Sequence, residues 1–420
     1  MSVASTRLLL ALLLVACGAR TGLAPAADPD AGASPRDAGL RDAGLRDAGA
    51  RDAGLRDAGT PDAGPAPCTG RVIEEPFEVH RHTVGVYERP IVVRRGDLWD
   101  LLVTYVDPEG RVEIYVTQLQ TDPPLGWPPV RLDPIPAAGT ASAASFGGRL
   151  VTCVPDLDAH VYLRHYVPDP TYPVGLSEVF GVYDGCSGSA ATDTSMIVGL
   201  TRGGGELPYV MTFAPGGGLA AHRVLSDPTR RAALGVGTVG ERLVWASSTD
   251  EFGQIEVGWI DGTMEQSFLL GGFGRADGVA PVLAAWPLVA GALAILGGSG
   301  FAPHFVVVDA SGATLVDAGR VPGRMWDRPA PALAATRDGL LLAQLDFGDL
   351  DPRGGLLSLS FIDATGSARP LPIPTFGVRR PTDGSGAEVS AASDGTTSVV
   401  LYTGDEDGQP VARAMILSCD

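Results

Sequence analysis

A unit of roughly 50 residues recurs along most of this 420-residue chain, and that period constrains the fold more than any other feature. Each unit has a starting segment often marked by Arg-Pro, a Gly or Asp-Gly turn, a strongly apolar strand, and a second strand that ends in Asp-Gly or Asp-x-x-Gly. The clear copies start at Arg89, Arg231, Arg328 and Arg380. Weaker copies occupy 142–183, 192–225 and 275–317. The unit consists of strands and tight turns, so it predicts an all-β repeat architecture.

Short β-strand patterns separated by Gly and Asp turns fill residues 68–420. A period near 50 residues with three to four strands is typical of a β-propeller blade. We therefore predict an all-β propeller of about seven blades, with six blades as an alternative and two β-sandwich domains as the competing architecture. The unit resembles the degenerate sialidase-type and kelch-like blade repeats of secreted bacterial proteins.

The first seventeen residues have the pattern of an export signal. One positive charge at Arg7 precedes the apolar run Leu8 to Leu14, which is too short to span a bilayer as a stable helix. The run ends in Leu-Val-Ala-Cys at Cys17, which resembles the lipobox of bacterial lipoproteins. The resemblance implies a signal peptide over 1–16, acylation of Cys17 and a lipid anchor in the cell envelope. Gly18 after the cysteine implies the outer membrane. An ordinary secretory signal with an incidental cysteine is the alternative.

Residues 17–67 form a second compositional region. Asp-Ala-Gly recurs seven times between Asp30 and Asp62, mostly in five-residue units. Five is neither a helical nor a strand period, and a glycine in every unit opposes both structures. We interpret this region as a disordered tether between the lipidated cysteine and a folded body over 68–420.

Charge excludes one class of partner. The chain has 49 acidic and 31 basic side chains, a net charge of −18, and every basic residue is arginine. Nucleic-acid binding needs a basic surface for phosphate contacts, so we expect no nucleic-acid partner.

Arginines recur where the repeats start, and this suggests an anion site. The residues are Arg89, Arg231, Arg275, Arg328 and Arg380. The start of a blade leads into its innermost strand, so these side chains would surround the propeller axis and bind an anion through paired hydrogen bonds. The alternative is that each arginine pairs with an aspartate of a neighbouring blade.

The resemblance to sialidases would imply a glycosidase that uses an arginine cluster and a tyrosine nucleophile. However, the Asp-box of that family is not matched, because in Ser248-Thr249-Asp250-Glu251-Phe252-Gly253 the glycine is displaced. We find no Tyr–Glu pair in the sequence that could be assigned to catalysis. The sequence therefore favours a non-catalytic protein.

Clustered carboxylates and histidines are candidate metal ligands. The carboxylates are Asp156 and Asp158, Asp346, Asp349 and Asp351, and Asp405, Glu406 and Asp407; the histidines are His80 and His82, and His160 and His165. Oxygen clusters suit Ca²⁺, but Asp-Gly sequences are also what hairpin turns need. We therefore predict structural turns, no cofactor and no metal site, with calcium as the alternative.

Two tryptophans are candidates for carbohydrate binding. Trp127 and Trp326 lie beside prolines and charged residues, whereas the other four fall mostly within or beside apolar strands. We therefore take these two as the candidate sugar platforms, and a place in the core is the alternative.

Four cysteines in an exported body suggest two disulfides. The last blade is one strand short, and Val72 to His80, before the first blade, is the natural donor of the missing outer strand. It would lie antiparallel beside Val411 to Leu417, which brings Cys68 near Cys419 and leaves Cys153 to pair with Cys186. Buried free thiols are the alternative.

These observations favour a membrane-anchored envelope lipoprotein whose propeller binds a glycan, an anion or a protein partner. An envelope glycoside hydrolase of sialidase-like type and a structural scaffold are the alternatives.

Overall fold

The computed structural model describes residues 70–132, 141–156, 158, 160–166, 173–182, 185–202, 207–214, 218–224, 234–249, 253–261, 264–273, 280–298, 300–301, 303–322, 324–325, 330–347, 354–373, 376–379 and 387–419. Residues 1–69 therefore lie outside the described residues, with the predicted signal peptide, Cys17, the tether and Cys68. No described residue belongs to a helix long and apolar enough to cross a membrane.

The described chain forms 32 strands, and the first of them is β1 (Arg71–Arg81). Blade 1 follows with β2 (Val86–Arg95), β3 (Leu98–Val106), β4 (Val112–Thr121), β5 (Pro124–Gly126) and β6 (Val130–Arg131). Blade 2 comprises β7 (Ser142–Phe146), β8 (Arg149–Pro155), β9 (His160–Tyr166) and β10 (Pro173–Val182). Blade 3 comprises β11 (Gly185–Ala191), β12 (Met196–Arg202), β13 (Leu207–Phe213) and β14 (Leu219–Val224). Blade 4 comprises β15 (Leu234–Val239), β16 (Arg242–Thr249), β17 (Gln254–Asp261) and β18 (Met264–Leu270).

Blade 5 comprises β19 (Val282–Ala285), β20 (Leu293–Gly297), β22 (His304–Val308) and β23 (Thr314–Arg320). A two-stranded ribbon joins β21 (Gly300–Phe301) to β24 (Arg324–Met325). Blade 6 comprises β25 (Ala332–Ala335), β26 (Leu340–Phe347), β27 (Gly354–Ile362), β28 (Ala368–Pro370) and β29 (Phe376–Arg379). Blade 7 comprises β30 (Val389–Ser393), β31 (Thr397–Glu406), β32 (Gln409–Ser418) and the N-terminal strand β1. The fold is a seven-bladed β-propeller, as the sequence predicts, and neither six blades nor two sandwiches describe it.

The innermost strands of the seven blades form a closed ring. Each of β2, β7, β11, β15, β19, β25 and β30 contacts the next, and β30 contacts β2. Every blade is an antiparallel meander, so the start of its first strand and the turn between its second and third strands share one face. We call this the upper face, and the opposite face, with the turn between the first and second strands, the lower face.

The hydrophobic core consists of seven clusters, one in each gap between neighbouring blades. In the gap between blades 7 and 1, Tyr87 and Trp99 pack with Ile416. In the gap between blades 3 and 4, Trp245 is completely buried. The second strand of a blade thus packs on both faces, as in β3, β20 and β31, which explains the nearly continuous apolar runs in the sequence.

Blade 3 starts earlier than its sequence pattern predicts. The expected copy began at Thr192, but β11 covers Gly185–Ala191. This strand is Gly-Cys-Ser-Gly-Ser-Ala-Ala and has no β-branched or aromatic residue. At the crowded axis small residues fit best, so the innermost strand of this blade carries a weak strand signal in the sequence.

Candidate functional site

Arg89 marks the point where the upper face meets the propeller axis. It lies near the start of β2 at a bulge between Glu88 and Ile91, and its backbone φ of +43° is left-handed, which is uncommon for a residue other than glycine. Its backbone N–H donates to Oε2 of Glu388 over 2.9 Å. Its Nη1 donates to the backbone carbonyl oxygen of Cys186 over 2.9 Å. Arg89 therefore links blade 1 to blades 7 and 3.

The inner strands around Arg89 are joined by further polar contacts. The backbone N–H of Val92 donates to Oγ of Ser390 over 3.2 Å, which joins blades 1 and 7. The hydroxyl oxygens of Ser142 and Ser189 are 2.6 Å apart and join blades 2 and 3. These contacts join the innermost strands of neighbouring blades.

The predicted pairing of Cys153 with Cys186 is confirmed. The two Cα atoms are 6.1 Å apart, and both side chains are buried. The bond connects β8 of blade 2 with β11 of blade 3, so it crosses a blade boundary. Cys419 is also disulfide-bonded, while its expected partner Cys68 lies outside the described residues.

Most of the arginine ring stays a prediction. Arg231, Arg275, Arg328 and Arg380 lie outside the described residues, as does Trp326. Arg89 is the one described member, and its Nη1 donates to the backbone carbonyl oxygen of Cys186 in blade 3.

Two histidines and three tyrosines form a cluster at the upper end of the gap between blades 7 and 1, which we call the closure cluster. Its members are His80, His82, Tyr87, Tyr105 and Tyr115. The rings of His82 and Tyr105 are stacked with centroids 3.8 Å apart, and those of His80 and Tyr115 are 4.1 Å apart. Nδ1 of His80 contacts the hydroxyl of Tyr87.

Burial sets the protonation of the closure cluster. It lowers the pKa of His80 to about 4, an effect to which nearby His82 adds and which Glu78 and Glu113 oppose. Burial also lowers the pKa of His82 and raises that of Tyr87. Both histidines are therefore neutral near pH 7, and Nδ1 of His80 shares a hydrogen bond with the Tyr87 hydroxyl. Sequence reasoning singled out the histidine pair but missed the tyrosines, whose only signal was their position at strand ends.

A Tyr–Glu pair is present in blade 1, but its chemistry differs from that of an activated nucleophile. The hydroxyl of Tyr115 donates to Oε2 of Glu113 over 2.7 Å. Burial, with this hydrogen bond, raises the pKa of Tyr115 to about 12, so the phenolate is disfavoured. The tyrosine lies on β4, two strands outward from Arg89, about 10 Å across the sheet.

Two of the described carboxylates of the candidate calcium clusters, Asp156 and Asp405, cap turns. Asp156 accepts hydrogen bonds from the backbone N–H groups of Asp158 and His160 at 2.9 and 2.8 Å. Asp405 accepts one from Gly408 at 2.9 Å. Over the described residues, no group of three or more His, Cys, Asp or Glu side chains is placed to hold a metal ion. Asp349 and Asp351 lie outside these residues.

Trp127 is 40% exposed and follows β5 at the outer edge of blade 1, near the lower face. Trp99, Trp245, Trp259 and Trp286 are buried. Trp127 is thus available to solvent, but it lies on the outer rim and away from Arg89 at the axis.

No protein-family model matches the chain, and no curated protein sequence matches it. Among solved structures, the WD40 domain of coronin from Toxoplasma gondii has a TM-score of 0.52 and 10% identity, covering 85% of this chain and 88% of that one. The endosialidase of phage phi92 has a TM-score of 0.51 and 9% identity, covering 83% of this chain and 69% of that one. At these identities the likeness shows a shared propeller fold alone.

Proposed function

We propose that this protein is a lipid-anchored envelope protein whose propeller is a non-catalytic binding module. The upper face around Arg89 is the binding face, and its ligand carries a carboxylate, on an acidic glycan or on a partner protein. Propellers commonly serve as binding scaffolds, because rigid blades present loops around one axis.

The arrangement of Arg89 carries the proposal. A left-handed backbone at a non-glycine residue is costly and persists only where its surroundings impose it. Here a carboxylate of blade 7 holds its N–H and a carbonyl of blade 3 holds its side chain. A guanidinium fixed at the axis is a suitable donor for a carboxylate, because little side-chain freedom remains to be lost on binding.

A binding site needs no reactive side chain, whereas glycoside hydrolysis does. A sialidase-like reaction needs a tyrosine that loses its proton easily, close to the arginines that hold the substrate. Tyr115 has a raised pKa and lies on the third strand of blade 1. These properties of Tyr115 therefore favour the binding module over the envelope hydrolase.

The membrane anchor rests on the sequence alone. The apolar run Leu8 to Leu14 and the Leu-Val-Ala-Cys motif at Cys17 support acylation of the cysteine. We expect Cys17→Ala to abolish incorporation of a labelled fatty acid and to release the protein from the membrane fraction. Labelling that persists in this variant would contradict the anchor.

Binding is tested with the full-length protein in detergent, screened against envelope extracts and acidic glycans. We expect Arg89→Ala to weaken the strongest interaction at least tenfold, whereas Arg94→Ala should leave it unchanged. Arg94 is a matched control because it is an exposed arginine at the other end of β2. Equal binding by both variants would contradict the upper-face site, and release of free sugar that Arg89→Ala abolishes would favour the hydrolase.

A further inference from the structure

One turn on the lower face differs in chemistry from its six equivalents. Seven turns, one per blade, join the first strand to the second, and all of them are described. Six have polar or glycine tips, at Gly96–Asp97, Gly147–Gly148, Asp193–Thr194, Gly240–Glu241, Arg337–Asp338 and Asp394–Gly395. In blade 5 the turn is Pro287-Leu288-Val289-Ala290-Gly291, which has no charged or polar side chain.

The two large side chains of this turn face solvent. Leu288 is 40% exposed and Val289 is 44% exposed. The base of the turn is held by a hydrogen bond from the backbone N–H of Trp286 to the carbonyl oxygen of Ala292, over 2.9 Å. The indole ring of Trp286 is buried and packs near Phe305. The exposed pair is thus fixed at the tip of a rigid hairpin.

Further exposed apolar residues lie toward the same face. Leu315, at the lower end of the outer strand of blade 5, is 43% exposed. In blade 1, Leu125 and Trp127 are 51% and 40% exposed. Tryptophan is favoured at membrane interfaces, where its ring contacts lipid and its N–H contacts headgroups.

The first strand of the described chain, β1, begins at this same lower face. Arg71 lies opposite Ser418, at the lower end of β32. Gly70, just before it, has a positive φ of 65° and packs closely on Leu371. Gly70, the first described residue, therefore lies on the side of the body on which Leu288 and Val289 are exposed.

We propose that the lower face docks on a phospholipid bilayer, with Leu288 and Val289 inserted at headgroup depth. This rests on the proposed lipid anchor at Cys17, which would keep the face close to the bilayer. The neighbouring turns carry charges of both signs, such as Arg337 and Asp338, so a zwitterionic surface fits better than an anionic one. The upper face with Arg89 then points away from the membrane.

A depth measurement on the full-length acylated protein tests the docking. The protein is reconstituted in phosphatidylcholine vesicles, with an environment-sensitive fluorophore on Val289→Cys in one sample and on Leu269→Cys in another. Leu269 is a matched control, because it is 60% exposed but lies near the upper end of blade 4. A quencher attached to the lipid headgroup should quench the Val289 probe at least threefold more than the Leu269 probe. Equal quenching of the two probes would overturn the proposal.

A second measurement avoids the label. Brominated phosphatidylcholine should quench the exposed Trp127 of the unlabelled protein, and Leu288→Ser with Val289→Ser should at least halve that quenching, while Leu269→Ser should not. Equal quenching of Trp127 in the double variant and in Leu269→Ser would overturn the docking. The docking would also be overturned if the protein were a dimer in detergent and only the double variant were monomeric, because the turn would then be a dimer contact.

The state of Cys17, read by mass spectrometry on the same samples, separates this inference from the proposed function. An acylated protein whose Val289 probe stays in water contradicts the docking but keeps the anchor. An unacylated protein whose Val289 probe is quenched supports the docking and contradicts the anchor, and an unacylated protein without quenching contradicts both.

Discussion

Arg71, the first residue of β1, lies opposite Ser418 near the end of β32, so the two ends of the folded body are neighbours in one sheet. At the upper end of this pairing, Arg81 donates to Glu406 over 2.7 Å. At the lower end, the N–H of Cys419 donates to the carbonyl of Thr396 over 2.7 Å. The N-terminal strand β1 thus closes the ring by completing the last blade, and we expect the stability of the propeller to depend on this junction.

The first prediction is a disulfide between Cys68 and Cys419. Cys419 is disulfide-bonded, and Arg71 beside Ser418 brings the chain just after Cys68 to its side. A bridge that closes a loop of this length stabilises by up to roughly 5–6 kcal/mol in the chain-entropy model. We expect Cys419→Ser to lower the free energy of unfolding by several kcal/mol (on the order of 3–5) in denaturant titrations.

Peptide mapping without reduction checks the connectivity. The Cys68 peptide should be linked to the Cys419 peptide, and the Cys153 peptide to the Cys186 peptide. A link from Cys68 to Cys153 would contradict the closure geometry.

The second prediction concerns pH. Burial lowers the pKa of His80 from 6.5 to about 4, and that of His82 is also lowered. Between pH 6.5 and 4 the histidines of the unfolded chain bind protons that the folded closure cluster does not bind. The contribution of the cluster to the free energy of unfolding is therefore fully present above about pH 6.5 and decreases as the pH falls toward 4. Because the cluster is only half-buried, we expect a loss of about 1–2 kcal/mol across this window.

Unfolding titrations at several pH values measure this loss. His80→Gln should flatten the slope between pH 6.5 and 4, while His160→Gln, at an upper-face turn of blade 2, should leave it unchanged. The same slope in His80→Gln and in the wild type would exclude the closure cluster as its source.

The fold was predictable because its signals are local and repeated. Apolar strands and Asp-containing turns recur, and counting them shows that the last blade lacks one strand, which β1 supplies. The Asp-x-x-Gly pattern is a true turn signal: Oδ1 of Asp309 accepts hydrogen bonds from the N–H groups of Ser311 and Ala313 at 2.8 and 3.0 Å. Blade 3 was misplaced because its inner strand, β11, is made of small residues.

The candidate site was predictable only in part, because its contacts join residues distant in sequence. The Arg-Pro pattern identified Arg89. No sequence pattern shows that Glu388 of the last blade holds its backbone, or that its side chain reaches the carbonyl of Cys186 in blade 3. Such contacts depend on how the blades are arranged around the axis. Every residue has a backbone carbonyl, so the sequence does not indicate which one accepts the hydrogen bond from Arg89.

The third prediction tests packing in blade 4. Gly258 lies opposite Trp245 on neighbouring strands, and a Cβ atom at Gly258 would lie 2.1 Å from the indole ring. Because the indole is completely buried, Gly258→Ala should destabilise the protein by about 2–3 kcal/mol through overpacking. Gly271→Ala, which meets open space, is the control and should change stability little. Equal unfolding midpoints for the two variants would show that blade 4 can relax around the added methyl group.

The last prediction concerns a buried ion pair in blade 1. Nε and Nη2 of Arg95 donate to the two carboxylate oxygens of Asp100 at 2.8 and 3.0 Å, and Gln118 donates to the same carboxylate. Asp100 is completely buried, and Arg95 is 7% exposed. Removing one partner of such a pair leaves a buried charge without compensation, which costs about 3–5 kcal/mol.

Asp100→Ala should therefore lower the free energy of unfolding by that amount, whereas Asp97→Ala, in the exposed turn of the same hairpin, should not. If the cost arises from the uncompensated guanidinium, then Arg95→Met combined with Asp100→Ala should recover at least half of the loss, because the buried charge is removed as well. A double variant as unstable as Asp100→Ala alone would instead assign the cost to the space left by the carboxylate. Denaturant titration of the four proteins distinguishes the two causes.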